Sequence, residues 1–142
     1  MLSTIFKSLD KIPTIWNPVE SFYDDRGVIA PIINKGELEF GSVFYIHSFP
    51  NSVRANHYHK EDFHLTYIIN GKMKYFERPV GSQEKPKVFE FENGQTFFTR
   101  PNFEHAMLFL EESQIVCLSK LSRIQENYEL DTVRLSFDLT KV

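Results

Sequence analysis

The sequence predicts an all-β protein, and three observations support that fold class. From about residue 26 onward the chain breaks into short segments rich in β-branched and aromatic residues, each bounded by Gly, Pro, Asn or Asp. Aromatic residues make up 15% of the chain, with 14 Phe and 6 Tyr, and such side chains favour pleated sheets. Helical spacing of apolar residues is hard to find, apart from a short turn near 121–130. Many short strands at regular spacing indicate an antiparallel sandwich or barrel.

Ten segments are predicted as strands. In chain order they read GVIAPII, SVFYIHSF, VRANHYH, HLTYIIN, KMKYFERP, KVFEFE, QTFFTR, HAMLFL, QIVCLSKL and DTVRLSF. The segment KVFEFE illustrates the two-residue period, because Val88 and Glu90 face one way while Phe89 and Phe91 face the other.

Turn residues mark the connections between these segments. Asn70-Gly71 and Asn93-Gly94 each separate two predicted strands, and Asn-Gly supplies the positive φ angles of a two-residue hairpin turn. We therefore expect a hairpin at each pair. The polar stretch RPVGSQEKPK, 78–87, predicts a longer exposed loop.

Length and composition indicate one domain, because 142 residues can bury a hydrophobic core without disulfides or metals. We expect an N-terminal arm over 1–21 that packs on the barrel or on a partner subunit, a barrel over 22–122, and a C-terminal turn and strand over 123–142. The net charge of -3 gives no general attraction for nucleic acid or an anionic membrane. No apolar stretch is long enough to span a membrane. The lone Cys117 is predicted to be a buried, inert thiol, which suits a reducing cytoplasm.

Four histidines lie at strand positions from which they can converge. His57 and His59 share one side of a predicted strand, and His64 begins the next, where an antiparallel pair would bring it opposite them. His105 begins a later strand. Four imidazoles could bind one divalent Zn, Ni, Cu or Fe ion. The isolated His47 is instead interpreted as a surface or hydrogen-bonded residue.

This spacing resembles the two sequence motifs of the cupin superfamily. The matching residues in chain order are His57, His59, His64, Gly71, Gly94, Pro101 and His105. The resemblance implies a single-domain double-stranded β-helix, or jelly-roll barrel, with the motif residues pointing into its mouth. His64 stands where cupins usually have Glu, so a bound metal would have a shell of imidazoles alone.

A narrower resemblance concerns cupins that act on nucleotide-linked 4-keto sugars. The segments DDRGVIAPI, SVFYIHSFPNSVRANHYHK, HLTYIINGKM and RPNFEHAM resemble the deoxythymidine-diphosphate-sugar 3,4-ketoisomerases, more distantly the 3,5-epimerases, and the cupin module of capsule-synthesis reductases. The resemblance implies an isomerase or epimerase of surface-polysaccharide or deoxysugar biosynthesis, a nucleotide-sugar substrate, a homodimer and no organic cofactor. The cytoplasmic location is expected from the lone cysteine and from the lack of a membrane-spanning stretch.

The same match implies roles for individual residues. His57 and His59 correspond to an acid/base pair, which can move a proton next to a carbonyl near neutral pH. Tyr45 is a further catalytic candidate, as a donor to the enediolate oxygen. The expected substrate-binding residues, which suit a diphosphate, are Arg26, Arg54 and Lys60.

Two other functions remain open from the sequence. One is a metal-dependent cupin, for example of the dioxygenase type, with the ion held by His57, His59, His64 and His105. The other is a non-catalytic module that binds a sugar or a metal. The metal and acid/base roles compete, because an imidazole that gives its lone pair to a metal cannot accept a proton.

Some residues near these motifs are interpreted as structural. In such a Phe-rich chain, Tyr75, Phe97 and Phe98 are expected in the core. Glu104 is expected to be a solvated loop carboxylate. The segment 125–131, QENYELD, is expected to form a surface turn before the last strand.

Overall fold

The structure is a computed structural model that describes residues 8–17, 20–34 and 36–142. Strands dominate the regular structure of those ranges. They are β1 (Phe22–Asp24), β2 (Gly27–Ile29), β3 (Ser42–Ser48), β4 (Val53–His59), β5 (His64–Asn70), β6 (Lys72–Pro79), β7 (Lys87–Glu92), β8 (Thr96–Thr99), β9 (Phe103–Phe109), β10 (Ser113–Ser119) and β11 (Thr132–Arg134). Each of the ten predicted segments overlaps one of the strands β2 to β11, whereas β1 was not predicted. A helix, α1, spans Gln125–Asp131, and short 3-10 turns span Leu9–Lys11 and Leu139–Lys141.

Two antiparallel sheets form the barrel of this jelly roll. One has the strand order β3-β10-β5-β8 and the other β11-β4-β9-β6-β7, while β1 and β2 form a separate two-stranded sheet. Strands β4 and β5 are consecutive in the chain but belong to different sheets. The expectation that His64 would pair alongside His57 and His59 is therefore wrong, because it approaches them from the other sheet.

The two predicted Asn-Gly hairpins are also wrong. Asn70-Gly71 joins β5 to β6, and Asn93-Gly94 joins β7 to β8, which in both cases are strands of different sheets. Both glycines do have positive φ, +116° at Gly71 and +81° at Gly94, so the turn chemistry is used to cross between sheets. The predicted loop at 78–87 is confirmed over 80–86, because β6 ends at Pro79, β7 begins at Lys87 and the two strands pair with each other.

The main core fills the space between the two sheets. It contains Ile68, Met73, Tyr75, Phe91, Phe97, Phe109, Ile115 and Cys117. A second core lies on the other face of the four-stranded sheet, where Ile12 and Trp16 of the N-terminal segment pack with Leu65 and Phe98. Backbone pairing of Ile15 with Phe97 holds that segment on β8. The predicted burial of Tyr75, Phe97, Phe98 and Cys117 is thus confirmed.

Glu104 corrects a further expectation. It lies on β9 opposite Arg78 of β6, and Arg78 Nε donates to its carboxylate at 2.7 Å. Both side chains are largely buried. Glu104 is therefore part of an ion pair within the sheet and not a solvated loop residue. Among the helices of the described residues, none is long and apolar enough to cross a membrane.

Candidate functional site

Four imidazoles meet inside the barrel because three strands aim them there. His57 and His59 point inward from β4, and the register of β4 with β9 sets His105 directly opposite His57. The ring centroid of His57 is 4.6 Å from that of His59 and 4.8 Å from that of His105. His64 comes from β5 of the facing sheet, 4.8 Å from His59 between ring centroids. The predicted convergence of the four histidines is therefore present in the structure.

A β-bulge in β4 adds an arginine to the same side. Ala55 and Asn56 both have positive φ, +65° and +59°, and the register with β9 shifts between Ala55 and His57. An extra residue in a strand reverses which face the following side chains take. Arg54 and His57, which strict alternation would place on opposite faces, consequently line the same cavity.

The hydrogen bonds of two histidines indicate which ring nitrogen each presents to the centre. His105 Nδ1 lies 3.0 Å from the carbonyl oxygen of Phe103, which can only accept, so that nitrogen carries the hydrogen. His59 Nδ1 lies 3.2 Å from Asp131 Oδ2 and 3.3 Å from Thr132 Oγ1. His59 Nε2 is buried and has no hydrogen-bond partner among the described residues.

A buried carboxylate, Asp62, supports the fourth histidine. Its oxygens accept from Ser119 Oγ at 2.7 and 2.9 Å and from the backbone N–H of Leu121 at 3.1 Å. His64 Nε2 lies 3.0 Å from Asp62 Oδ2. Burial raises the pKa of Asp62, but the hydrogen bonds from His64, Ser119 and Leu121 lower it more, so its pKa lies below the ordinary value. Asp62 is therefore an ionised acceptor at neutral pH.

Burial keeps the central imidazoles neutral. Burial is the largest cause and neighbouring imidazoles add to it; together they lower the pKa of His59 to about 3 and that of His105 to about 3. Burial, together with the adjacent His105 and His59, also lowers the pKa of His57 far below its usual range. A neutral imidazole has a free lone pair on one ring nitrogen, and that lone pair can bind either a metal ion or a proton.

A cavity of about 130 Å³ lies against this cluster. His57, His64 and His105 line it together with Arg54 and Arg123. The Arg54 guanidinium donates to Ser48 Oγ and to the carbonyl oxygen of His47. The cavity is smaller than the roughly 300–1,000 Å³ of sites that enclose a drug-sized ligand. It can therefore enclose a small molecule or the reacting end of a larger one.

Helix α1 covers one side of the cavity with Tyr128. The Tyr128 ring centroid lies 6.3 Å from that of His57 and 6.0 Å from that of His59. The guanidinium carbon of Arg123 lies 4.0 Å from the Tyr128 ring centroid and 5.0 Å from that of Phe44, within the range of cation–π attraction. The segment 125–131, interpreted from sequence as a surface turn, is thus a helix that contributes to the site.

The structure does not bring every predicted site residue to this cavity. Tyr45 is 57% exposed, because its neighbours Phe44 and Ile46 take the inward positions of β3. Arg26 lies in the β1–β2 turn, where it pairs with Asp24 at 2.6 Å. Lys60 donates to the carbonyl oxygen of Leu130 at 3.3 Å, outside the barrel. Of the non-histidine predictions, Arg54 lines the cavity.

Four residues at the site were missed from the sequence: Asp62, Arg123, Tyr128 and Asp131. Each lies outside the cupin motif positions, in a connection or in the segment after the barrel. The one signal available was the proximity of Asp62 to His64, which a two-residue spacing places on the same side of an extended chain.

The histidine donors fit a divalent transition metal. Two groups of side chains each bring one ligand atom per residue within 4.8 Å of one another. One group is His57, His59 and His105, and the other is His59, Asp62 and His64. The unpartnered Nε2 of His59 is a buried acceptor that a bound ion would satisfy. Nitrogen donors of this kind suit Zn, Ni, Fe or Cu.

Comparison with known proteins gives the fold of this chain. No protein-family model matches it, and no curated protein matches it. Similar solved structures are nucleotide-sugar enzymes with jelly-roll folds. A double mutant of a 3,4-ketoisomerase from Thermoanaerobacterium thermosaccharolyticum, in complex with TDP, has a TM-score of 0.68 at 21% identity, covering 87% of this chain and 85% of that chain.

Two other structures agree. A 3,4-ketoisomerase from Helicobacter canadensis has a TM-score of 0.69 at 16% identity, covering 90% of this chain and 92% of the other. A dTDP-4-dehydrorhamnose 3,5-epimerase from Sulfolobus tokodaii has a TM-score of 0.65 at 17% identity, covering 84% of this chain and 74% of the other. The cupin jelly-roll fold implied by the histidine motifs is confirmed.

Proposed function

We propose that this protein is an isomerase or epimerase that acts on a nucleotide-linked 4-keto sugar in deoxysugar or surface-polysaccharide biosynthesis. The observation that carries the proposal is the cavity that His57 and His105 line together with Arg54 and Arg123. The proposal is supported by similar structures named as 3,4-ketoisomerases, three of which are complexes with TDP or TDP-4-keto-6-deoxyglucose.

The reaction needs a base that faces the cavity. Moving a ketone between adjacent carbons removes the proton of the carbon next to the carbonyl, forms an enediolate and returns a proton to the other carbon. His57 is neutral at pH 7 because its pKa is strongly lowered, so its lone pair is free. As negative charge develops on the enediolate next to it, the imidazolium form becomes more favourable.

Other groups of the cavity complete this chemistry. The Tyr128 ring lies on the same side of the cavity as His57, and a phenolic hydroxyl is a suitable kind of proton donor. Arg54 and Arg123 stabilise developing negative charge and attract a diphosphate. Because the cavity measures about 130 Å³, the sugar ring would occupy it and the nucleotide would lie across its mouth.

Deuterium exchange tests the proposal. The full chain is incubated in D2O with TDP-4-keto-6-deoxyglucose, and uptake at the carbons next to the carbonyl is followed by NMR. We expect exchange above the buffer rate, and a loss of about 10²–10⁴-fold in His57→Asn, the usual contribution of a general acid or base. His47→Asn is the matched control, because His47 lies at the surface beside Glu112. Absence of exchange, or exchange by His57→Asn at the wild-type rate, contradicts the proposal.

A second candidate is a metal-dependent cupin that acts on another small molecule. The buried, unpartnered Nε2 of His59 supports it. A bound Zn, Ni, Fe or Cu ion would act as a Lewis acid toward a carbonyl oxygen, held by His57, His59 and His105, with His64 as a further ligand.

Elemental analysis distinguishes the two candidates. A metal-dependent cupin should retain near-stoichiometric transition metal, which His105→Ala should lose and His47→Ala should keep. Metal-free protein that still catalyses deuterium exchange would eliminate this candidate. Ligand-induced stabilisation without any turnover would instead indicate a binding module.

We also infer a homodimer. The β1–β2 sheet has six residues, all exposed, and an isolated two-stranded sheet is marginally stable in water. Exposed apolar side chains on it, such as Tyr23 and Ile29, and on β3, such as Val43, would be buried by a second copy. Light scattering after size exclusion should give twice the mass of the chain, and a monomer would contradict the inference.

A further inference from the structure

We propose that Asp62 is a positioning residue that fixes which ring nitrogen His64 presents to the other imidazoles. The inference rests on the histidine site of the proposed function and adds to it a residue outside the cupin motif. Its basis is the arrangement of hydrogen bonds around one buried carboxylate.

Asp62 is held in place independently of His64. Its carboxylate accepts from the hydroxyl of Ser119 at the end of β10 and from the backbone N–H of Leu121. Its own backbone N–H lies 3.3 Å from Asp131 Oδ2. The side chain is buried, so protein groups and not bulk water satisfy its oxygens. Asp62 is thus a fixed acceptor that the His64 ring must meet.

This fixed acceptor determines the tautomer of His64. The Asp62 carboxylate accepts from the Ser119 hydroxyl and from the Leu121 backbone N–H, and when ionised it can only accept. The contact of 3.0 Å from His64 Nε2 to Asp62 Oδ2 therefore requires the hydrogen on Nε2. The unprotonated nitrogen of His64 is then Nδ1. His105 has the opposite arrangement, since its Nδ1 donates to the carbonyl oxygen of Phe103 and leaves Nε2 free.

The consequence is a site whose imidazoles do not all present the same nitrogen. His59 and His105 present Nε2, whereas His64, which enters from the facing sheet, presents Nδ1. A carboxylate partner of this kind orients an imidazole and increases its basicity, and its loss typically weakens metal binding 10–100-fold. Cupins usually have a Glu at the position of His64. Asp62 would therefore supply, through its hydrogen bond with His64, the negative charge that this Glu would provide.

Nitrogen-resolved NMR of the full chain tests this directly. With ¹⁵N-labelled histidine and metal-free protein, we expect His64 to show a hydrogen on Nε2, with a downfield and slowly exchanging proton signal. Asp62→Ala should lose that protected signal. Asp62→Asn should lose it too, because its single side-chain oxygen would accept from the Leu121 backbone N–H and its amide group would then donate to His64 Nε2. Glu112→Gln is the control, because it alters the surface carboxylate beside His47.

Cobalt titration provides a second readout. We expect Co²⁺ affinity to fall about 10–100-fold in Asp62→Ala and to stay unchanged in Glu112→Gln. A wild-type His64 with its hydrogen on Nδ1 would overturn the proposal even if no Asp62 variant folds. So would a protected Nε2 hydrogen that persists in Asp62→Ala.

The outcome for Asp62 is separable from that for the enzyme. Neither readout requires turnover. A protected His64 Nε2 hydrogen in a protein that catalyses no deuterium exchange would support the positioning role and contradict the proposed isomerase. The reverse pattern would contradict the positioning role alone.

Discussion

Acidification should destabilise the metal-free protein because its histidine cluster is buried in the neutral form. An unfolded chain binds a proton on each histidine near pH 6.5, whereas the pKa of His59 and of His105 is about 3 in the folded protein. A lowered folded-state pKa means that the stabilisation is complete above pH 6.5 and is lost as the pH falls toward 3. Stability should therefore decrease from pH 7 to pH 5.

The magnitude follows from proton linkage. Between pH 7 and pH 5, each such histidine lowers the free energy of unfolding by about 2 kcal/mol, so His59 and His105 together contribute about 4 kcal/mol. His57, whose pKa is also lowered by burial, acts in the same direction. Set against a typical total of about 5–15 kcal/mol, this loss should be large.

Urea denaturation of metal-free protein at pH 7, 6 and 5 measures the effect, with chelator present throughout. His105→Asn removes one of the buried imidazoles and should reduce the loss between pH 7 and pH 5 by about 2 kcal/mol. His47→Asn, which removes the surface histidine, should leave the wild-type slope. A free energy of unfolding that is constant or rises between pH 7 and pH 5 would refute the reasoning.

Two backbone positions give further predictions, both measurable by urea denaturation. Gly71→Ala should lower the free energy of unfolding by several kcal/mol, because φ is +116° there and the new Cβ would lie 2.6 Å from Ser113 Cα. Gly81→Ala should lower it by only about 1–2 kcal/mol through backbone strain, since no atom lies within 4 Å of the new Cβ. Equal losses in the two variants would contradict the clash at Gly71. Ala55 has a φ of +65°. Ala55→Gly should therefore be neutral or stabilising by up to about 1 kcal/mol, whereas Ala55→Val should be clearly destabilising. A Val variant more stable than the Gly variant would contradict a strained bulge.

The sequence predicted the strands well because their period and composition are local properties. It could not predict which strands pair. Asn70-Gly71 has the composition of a hairpin turn, in which the two flanking strands hydrogen-bond to each other. Apolar strands can also pack face to face as members of two different sheets. The strands β5 and β6 do the latter, since they belong to different sheets. Pairing depends on contacts distant in the chain, and local turn chemistry does not specify them.

The candidate site shows the same limit. The four histidines were predictable, because each occupies a motif position. Arg54 was found by resemblance, although strict alternation would have placed it on the opposite face from His57, and the bulge at Ala55 and Asn56 removes that conflict. Asp131 could not have been found, since it reaches His59 from a helix that follows the barrel.

His59 is the residue that separates the acid/base mechanism from the metal mechanism. It is fully buried, whereas His57 and His105 line the cavity, so His59 cannot touch a substrate held there. In an acid/base site, His59 would only support His57, and His59→Asn should retain a substantial part of the exchange activity that His57→Asn loses. In a metal site, His59 is a ligand through its unpartnered Nε2, and its loss should remove metal and activity together. Comparing the deuterium-exchange rate and the metal content of His57→Asn and His59→Asn therefore decides between the mechanisms. If the two variants lose the same exchange activity and the wild-type protein holds no metal, both mechanisms are contradicted.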